Sequence, residues 1–191
     1  MLTAAVLFSM ATADVGVADK NSAVSELVTQ FETVCSNLLD FETIRKSALA
    51  NGWQYFNAKP ESTHAKMTAG MKQLDGVESL KLLDFSKSIS GSMIILSIST
   101  VDIENGNALT CRMHNYSATR PFSEAAVSKI VGAKPVETQN DSNLTARLWL
   151  PGLAADHTSL QTLYVPPNSP LVEKLFFKGA MLIARKKKGL N

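Results

Sequence analysis

The sequence predicts an α+β domain in which N-terminal helices pack on one face of a mostly antiparallel β-sheet. Three observations carry this. Apolar residues recur at helical spacing through residues 24–38, the period changes to that of strands near residue 80, and one cysteine falls on each side of that change. The 191 residues are enough to bury a sizeable core. With 45% apolar and 19% charged residues the composition is that of an ordinary globular chain, not a disordered one. Repeats are absent and no stretch reads as a linker, so residues 14–191 are expected to form one domain.

Residues 1–13 read as a signal peptide. A short apolar run closes on Ala11-Thr12-Ala13, the small-x-small pattern that signal peptidases cut, although no Lys or Arg precedes the run. Export, to the periplasm or beyond, would carry Cys35 and Cys111 into an oxidising compartment where two cysteines tend to be joined.

The first helix follows from Val24, Leu27, Val28, Phe31, Val34, Cys35 and Leu38, which fall at alternating steps of three and four. Ser22 is its expected N-cap. Asp40 caps a second helix through Ile44, Ala48 and Leu49, and Asn51-Gly52 ends it, since Gly accepts the left-handed conformation. Trp53 and Phe56 are expected to pack back onto this pair. A polar stretch then holds a short helix from about Thr63 to Gln73.

Strands are expected over Leu80 to Ile89 and Met93 to Val101, with Gly91 at the turn between them. Asn105-Gly106 signals a second hairpin. With those two residues as the turn, Thr100 faces Cys111 and Ile98 faces Met113. Side chains alternate along a strand, so Ile94, Leu96, Ile98, Cys111 and Met113 share one face, while Arg112, His114 and Tyr116 take the other. Two independent periodicities thus bring Cys35 and Cys111 to one helix–sheet interface, as a structural disulfide.

Arg120-Pro121 breaks the strand, and a helix runs from Ser123 to Val131, closed by Gly132. Lys134 to Asn143 reads as a polar connection. Strands follow at Leu144 to Leu150 and Leu160 to Val165, around a loop with Pro151-Gly152 and His157. Ser169-Pro170 caps a short helix to about Leu175, and Gly179 to Arg185 forms a last strand, with one amphipathic helix over 170–186 as the competing reading.

Chemistry-bearing patterns are sparse. Cys111 and His114 suggest a nucleophilic dyad, but a separation of three on a strand sends them to opposite faces. His64, His114 and His157 lie in three regions without ligand spacing, and the cysteines do not form a zinc site, so no metal or cofactor is expected. The nucleophile elbow, the phosphate-binding loop and the His-Glu-x-x-His motif are all missing, which argues against an enzyme. A net charge of +2 gives no reason to expect nucleic acid, and no segment approaches the roughly 20 apolar residues of a membrane span. Arg185, Lys186, Lys187 and Lys188 read as a solvated end, or as a contact for an anionic surface, at most a peripheral membrane contact.

Phe31-Glu-Thr-Val-Cys35, followed by a helix ending Ala48-Leu-Ala-Asn-Gly52-Trp53, resembles a group of uncharacterised exported proteobacterial proteins. They begin with a helix carrying Phe-x-x-x-Cys and ending near Ala-x-x-Gly-Trp. The resemblance implies export and a bacterial origin and carries no activity with it. The expected function is a non-catalytic envelope protein that binds a small ligand or another protein. The alternatives are a small hydrolase-type enzyme with a loop-built site near Asp156 and His157, and an envelope-surface protein using the basic C-terminal run. A deep polar pocket converging on His157 would favour the enzyme; an apolar groove or an open sheet edge would favour binding.

Overall fold

The computed structural model describes residues 15–71, 77–103 and 106–188. The expected signal segment, residues 1–13, and Asn105 of the expected turn lie outside the described residues. Among the described residues five helices and eight strands follow in the order α1 (Val15–Cys35), α2 (Phe41–Ala50), β1 (Gln54–Tyr55), α3 (Thr63–Met71), β2 (Val77–Ile89), β3 (Ser92–Ile103), β4 (Gly106–Asn115), α4 (Glu124–Val131), β5 (Glu137–Asn140), β6 (Thr145–Trp149), β7 (Ser159–Val165), α5 (Leu171–Leu175) and β8 (Gly179–Lys188). The fold is α+β. All strands join one sheet of order β1-β2-β3-β4-β8-β7-β6-β5, antiparallel at every pairing. The chain runs inward through β1 to β4, crosses by way of α4 to the far edge, and meanders back until β8 closes against β4.

Local chemistry sets the boundaries. Asp40 accepts a hydrogen bond from the Thr43 backbone N–H at the start of α2, and Ser123 does the same for Ala126 at the start of α4. Gly132 ends α4 in the left-handed region. Ser90 and Gly91 both have positive φ between β2 and β3, the two-residue turn whose twist suits a hairpin.

The first face of the sheet carries the main core. Phe85, Ile94, Leu96, Ile98, Cys111, Met113, Leu160 and Leu182 meet Leu27, Phe31, Val34 and Cys35 of α1, Phe41 and Ile44 of α2, and Val127 of α4. Within it Cys35 and Cys111 form a disulfide with S–S 2.05 Å and Cα–Cα 5.8 Å. Both cysteines are fully buried. The bridge closes a separation of 76 residues, which chain entropy values at about 4–5 kcal/mol.

Several expectations need correction. The β3–β4 register is displaced by two residues. Ile98 faces Cys111 and Leu96 faces Met113, because Gly106 pairs with Ile103 as a strand residue instead of turning. A two-residue slip leaves every side chain on its predicted face, so the disulfide geometry survived the error. Helix α1 begins at Val15, so Ser22 lies inside it and not at its N-terminus. The polar connection at 134–143 contains an edge strand, β5, whose four residues are all exposed. Pairing with β6, from Glu137–Leu148 to Asn140–Thr145, makes it a strand without apolar alternation. Trp53 is buried in the main core, whereas Phe56 turns away to meet His64 edge-on at 6.1 Å.

The C-terminal basic run is not a free end. Residues 179–188 form a central strand, paired with β4 from Ala180–Asn115 to Lys188–Asn107 and with β7 on its other side. Ala180, Leu182 and Ala184 point into the main core and set the strand period. Helices α3 and α5 lie on the second face, where Val165, Phe177 and Met181 form a smaller cluster with Met67, Leu171 and Val172.

Candidate functional site

Alternation along β4 sends Arg112 and His114 to the second face, away from the disulfide. The register gives them one polar neighbour and three apolar ones. Arg112 lies between Ser97 and Ile183, and His114 between Ile95 and Met181. Asp84 of β2 is the next neighbour beyond Ser97. This polar patch sits at the centre of an eight-stranded sheet, where apolar residues would be the cheaper choice.

Helix α3 covers part of the patch. Ser62 accepts a hydrogen bond from the Ala65 N–H at its first turn, which presents His64 to the sheet. His64 Nδ1 lies 2.8 Å from the Tyr116 hydroxyl, and Nε2 lies 3.0 Å from Asp84 Oδ2. His114 Nε2 lies 3.2 Å from Ser97 Oγ, and its ring stacks on Tyr116 at 5.8 Å. The rings of His64 and His114 stand 5.2 Å apart, nearly perpendicular. Two histidines that the sequence leaves in separate regions therefore share one cluster. Burial pushes the His114 imidazole well below its usual pKa, helped by the nearby charges of His64 and Arg112.

The chain Tyr116–His64–Asp84 has the connectivity of a nucleophile, a base and an orienting carboxylate. Its chemistry runs the other way. Burial and then the Asp84 charge push the Tyr116 phenol up, so its proton is held more tightly than in water. The depression beside the carboxylate is lined by Phe56, Ala65, Leu82 and Asp84, and Tyr116 does not reach it. A phenol so protected ties α3 to the sheet.

Between α3 and α5 lies a groove of about 330 Å³. Its walls are Met67, Met71, Leu163, Phe176, Phe177 and Met181, and Arg112 reaches it from β4. Arg112 is half-buried, and its hydrogen bond goes from Nη1 to Ser99 Oγ at 2.9 Å. No carboxylate among the described residues makes an ion pair with it. Burial, and then the like charge of Arg185, lower its pKa to about 10, against a weaker pull from Asp84. On the other side of Arg112 a second depression of about 210 Å³ is lined by Met71, Thr110, Arg185 and Lys187. Arg185 and Lys187 of the basic run thus share a face with Arg112. Lys186 points to the opposite face and pairs with Asp156.

Phe176 closes α5 at φ 46°, a left-handed conformation that a bulky side chain seldom adopts. It remains 44% exposed at the groove.

The loop residues Asp156 and His157 are placed differently from one another. Asp156 is exposed and held by Lys186, whose hydrogen bond lowers the Asp156 pKa. His157 is 3% exposed, and neither ring nitrogen makes an aligned hydrogen bond. Burial lowers its pKa, opposed by Asp156 and the Ser36 backbone. Neither side chain lines the groove or the depressions described above. Among the described residues no group of three or more His, Cys, Asp or Glu side chains is placed to hold a metal, and no helix is long and apolar enough to cross a membrane.

Comparison with protein-family models, with curated proteins and with solved structures returned no match. Sequence reasoning passed over Arg112 and Phe176 as groove residues, and Asp84 as the carboxylate beside His64. Strand alternation did assign Arg112, His114 and Tyr116 to the face away from Cys111; that α3 and α5 would come to rest there left no periodic signal.

Proposed function

We propose that this chain is an exported, non-catalytic binding protein whose ligand occupies the groove between α3 and α5. The observation that carries the reading is an apolar groove reached by a guanidinium that no described carboxylate pairs with. Ligand sites are concave and mostly apolar, with a few placed polar groups, at volumes of roughly 300–1,000 Å³. A volume of about 330 Å³ suits a small ligand. Export draws support from the apolar opening segment, from the resemblance around Phe31–Trp53, and from a disulfide of the kind that persists in oxidising compartments.

The hydrolase reading has less behind it. It asks for a base and an acid acting together, and Asp156 is engaged by Lys186 while His157 is buried without it. Contact with an anionic surface keeps one supporting observation, the shared orientation of Arg185 and Lys187.

The groove reading is tested with a neutral apolar reporter, N-phenyl-1-naphthylamine, whose fluorescence rises in a dry site. Gly70 on α3 lines the groove, and a Cβ there meets nothing within 4 Å. Gly70→Phe should fill the space without disturbing the fold and abolish the signal. Equal fluorescence for both proteins sinks the reading. Export is checked by the mature N-terminus and by intact mass under denaturing, non-reducing conditions. A chain beginning at Met1 with two free thiols in its native compartment overturns it.

A further inference from the structure

Resting on that groove, we infer that the ligand is a single-chain amphiphilic carboxylate, its head on Arg112 and its chain along Met67, Leu163, Phe177 and Met181. Three features of the groove select this class.

The head is anionic because both charged groups that line the groove among the described residues, Arg112 and Lys174, are cations, and Arg112 makes no ion pair with a described carboxylate. Nη1 is committed to Ser99, and the rest of the guanidinium fork is left for an incoming partner. A planar fork matches a carboxylate in two parallel hydrogen bonds, which a point charge such as Lys does not. Arg185, on the same face, adds a second positive charge close enough to act on Arg112. Burial and the like charge of Arg185 depress the Arg112 pKa, and a bound carboxylate would oppose both.

The tail is an unbranched chain because the walls are apolar and adaptable. Met67, Met71 and Met181 carry flexible thioether side chains that re-pack around a thin ligand more readily than branched residues do. Phe176, held at positive φ and largely exposed, adds an aromatic surface at the rim; strained backbone of this kind clusters at ligand sites.

An extended peptide is a poorer occupant. The groove lies over β4, β8 and β7, whose backbones are paired on both sides within the sheet. No strand edge is offered there for main-chain recognition.

The test uses the full mature chain, the same reporter, and two competitors of equal length, decanoate and decanol. Decanoate should displace the reporter at least tenfold more effectively than decanol. Arg112→Met should reduce decanoate to the level of decanol and leave decanol unchanged. Gly70→Phe should exclude both. Equal competition by decanoate and decanol on the native protein overturns the carboxylate inference and leaves the groove reading standing. So does a decanoate preference that persists in Arg112→Met. Decanoate binding that survives Gly70→Phe puts the ligand elsewhere and also overturns it. A reporter that never enters the native groove removes the parent reading instead. Should Arg112→Met fail to fold, Arg112→Lys keeps the charge without the fork, and the same loss of preference is required of it.

Discussion

Replacing Arg112 together with Ser99 should make the protein more stable, and the size of the gain can be worked from the site. Lowering the Arg112 pKa from its ordinary value to about 10 means that the folded environment disfavours the cation. At about 1.4 kcal/mol per unit this amounts to about 3 kcal/mol. Water reaches the half-buried side chain, so about 2 kcal/mol is the better expectation. The sign is set by the direction of the shift. A base whose folded pKa is depressed carries its penalty wherever it is charged, below about pH 10, and sheds it only as the pH rises past that value. Arg112→Met alone removes the penalty but strands the fully buried Ser99 hydroxyl, at about 1–3 kcal/mol. The single variant should therefore lie within about 1 kcal/mol of the parent. Adding Ser99→Ala removes the orphan, and the pair should gain about 2 kcal/mol, a rise of about 4–8 °C in Tm. Urea unfolding at pH 7, with an unchanged denaturant slope, measures it, and the gain should be flat from pH 6 to 9. A double variant less stable than the parent by about 1 kcal/mol would refute the reasoning and make Arg112 a structural tie.

Three further outcomes follow from the same geometry. His64→Ala removes the ring that faces Asp84 and frees the Tyr116 hydroxyl, so α3 should lose amide-exchange protection over residues 63–71 while β3 and β4 keep theirs; global stability should fall by about 2–3 kcal/mol. Acidification should destabilise the fold from about pH 6.5 downward, where unfolded histidine takes up a proton that buried His114 refuses. The slope for that one group approaches about 1.4 kcal/mol per pH unit until its folded pKa is reached, and His114→Gln should flatten a plot of unfolding midpoint against pH. Gly179→Ala should cost about 3 kcal/mol or more by denaturant titration: φ is +98° and a Cβ would lie 2.2 Å from the Asn115 carbonyl oxygen, at the entry to a central strand.

Legibility followed periodicity. The stripe from Leu27 to Leu38 and the alternation through β3 and β4 are regular, and they located the disulfide even with the hairpin register displaced. Where an element owes its form to a neighbour, the sequence was silent. Glu137–Asn140 is a strand only because Thr145–Leu148 offers it an edge. Arg185 to Lys187 look like a solvated run, yet Ala180, Leu182 and Ala184 have already committed the strand to the middle of the sheet, and the cations follow the backbone. The candidate site was harder still. It joins Met67, Arg112, Leu163 and Phe176 from distant stretches of the chain, and only the docking of α3 and α5 makes them neighbours.

The two faces of β4 make opposite use of their residues. Toward α1, Cys111 and Met113 are apolar, fully buried and stapled by the disulfide. Toward α3, Arg112 and His114 carry polar groups that folding penalises: a guanidinium without a counter-charge, and an imidazole whose Nδ1 meets no partner. A strand selected for stability alone would have apolar residues on both faces, since the sheet centre gives a charge nothing in return. Groups that lower stability while lining an opening mark the place where binding was worth more than packing. The staple on one side is what lets the fold tolerate that expense on the other. Reducing the disulfide should therefore weaken the groove through global destabilisation, whereas removing Arg112 together with the Ser99 hydroxyl should strengthen the fold and weaken only the binding of an anion.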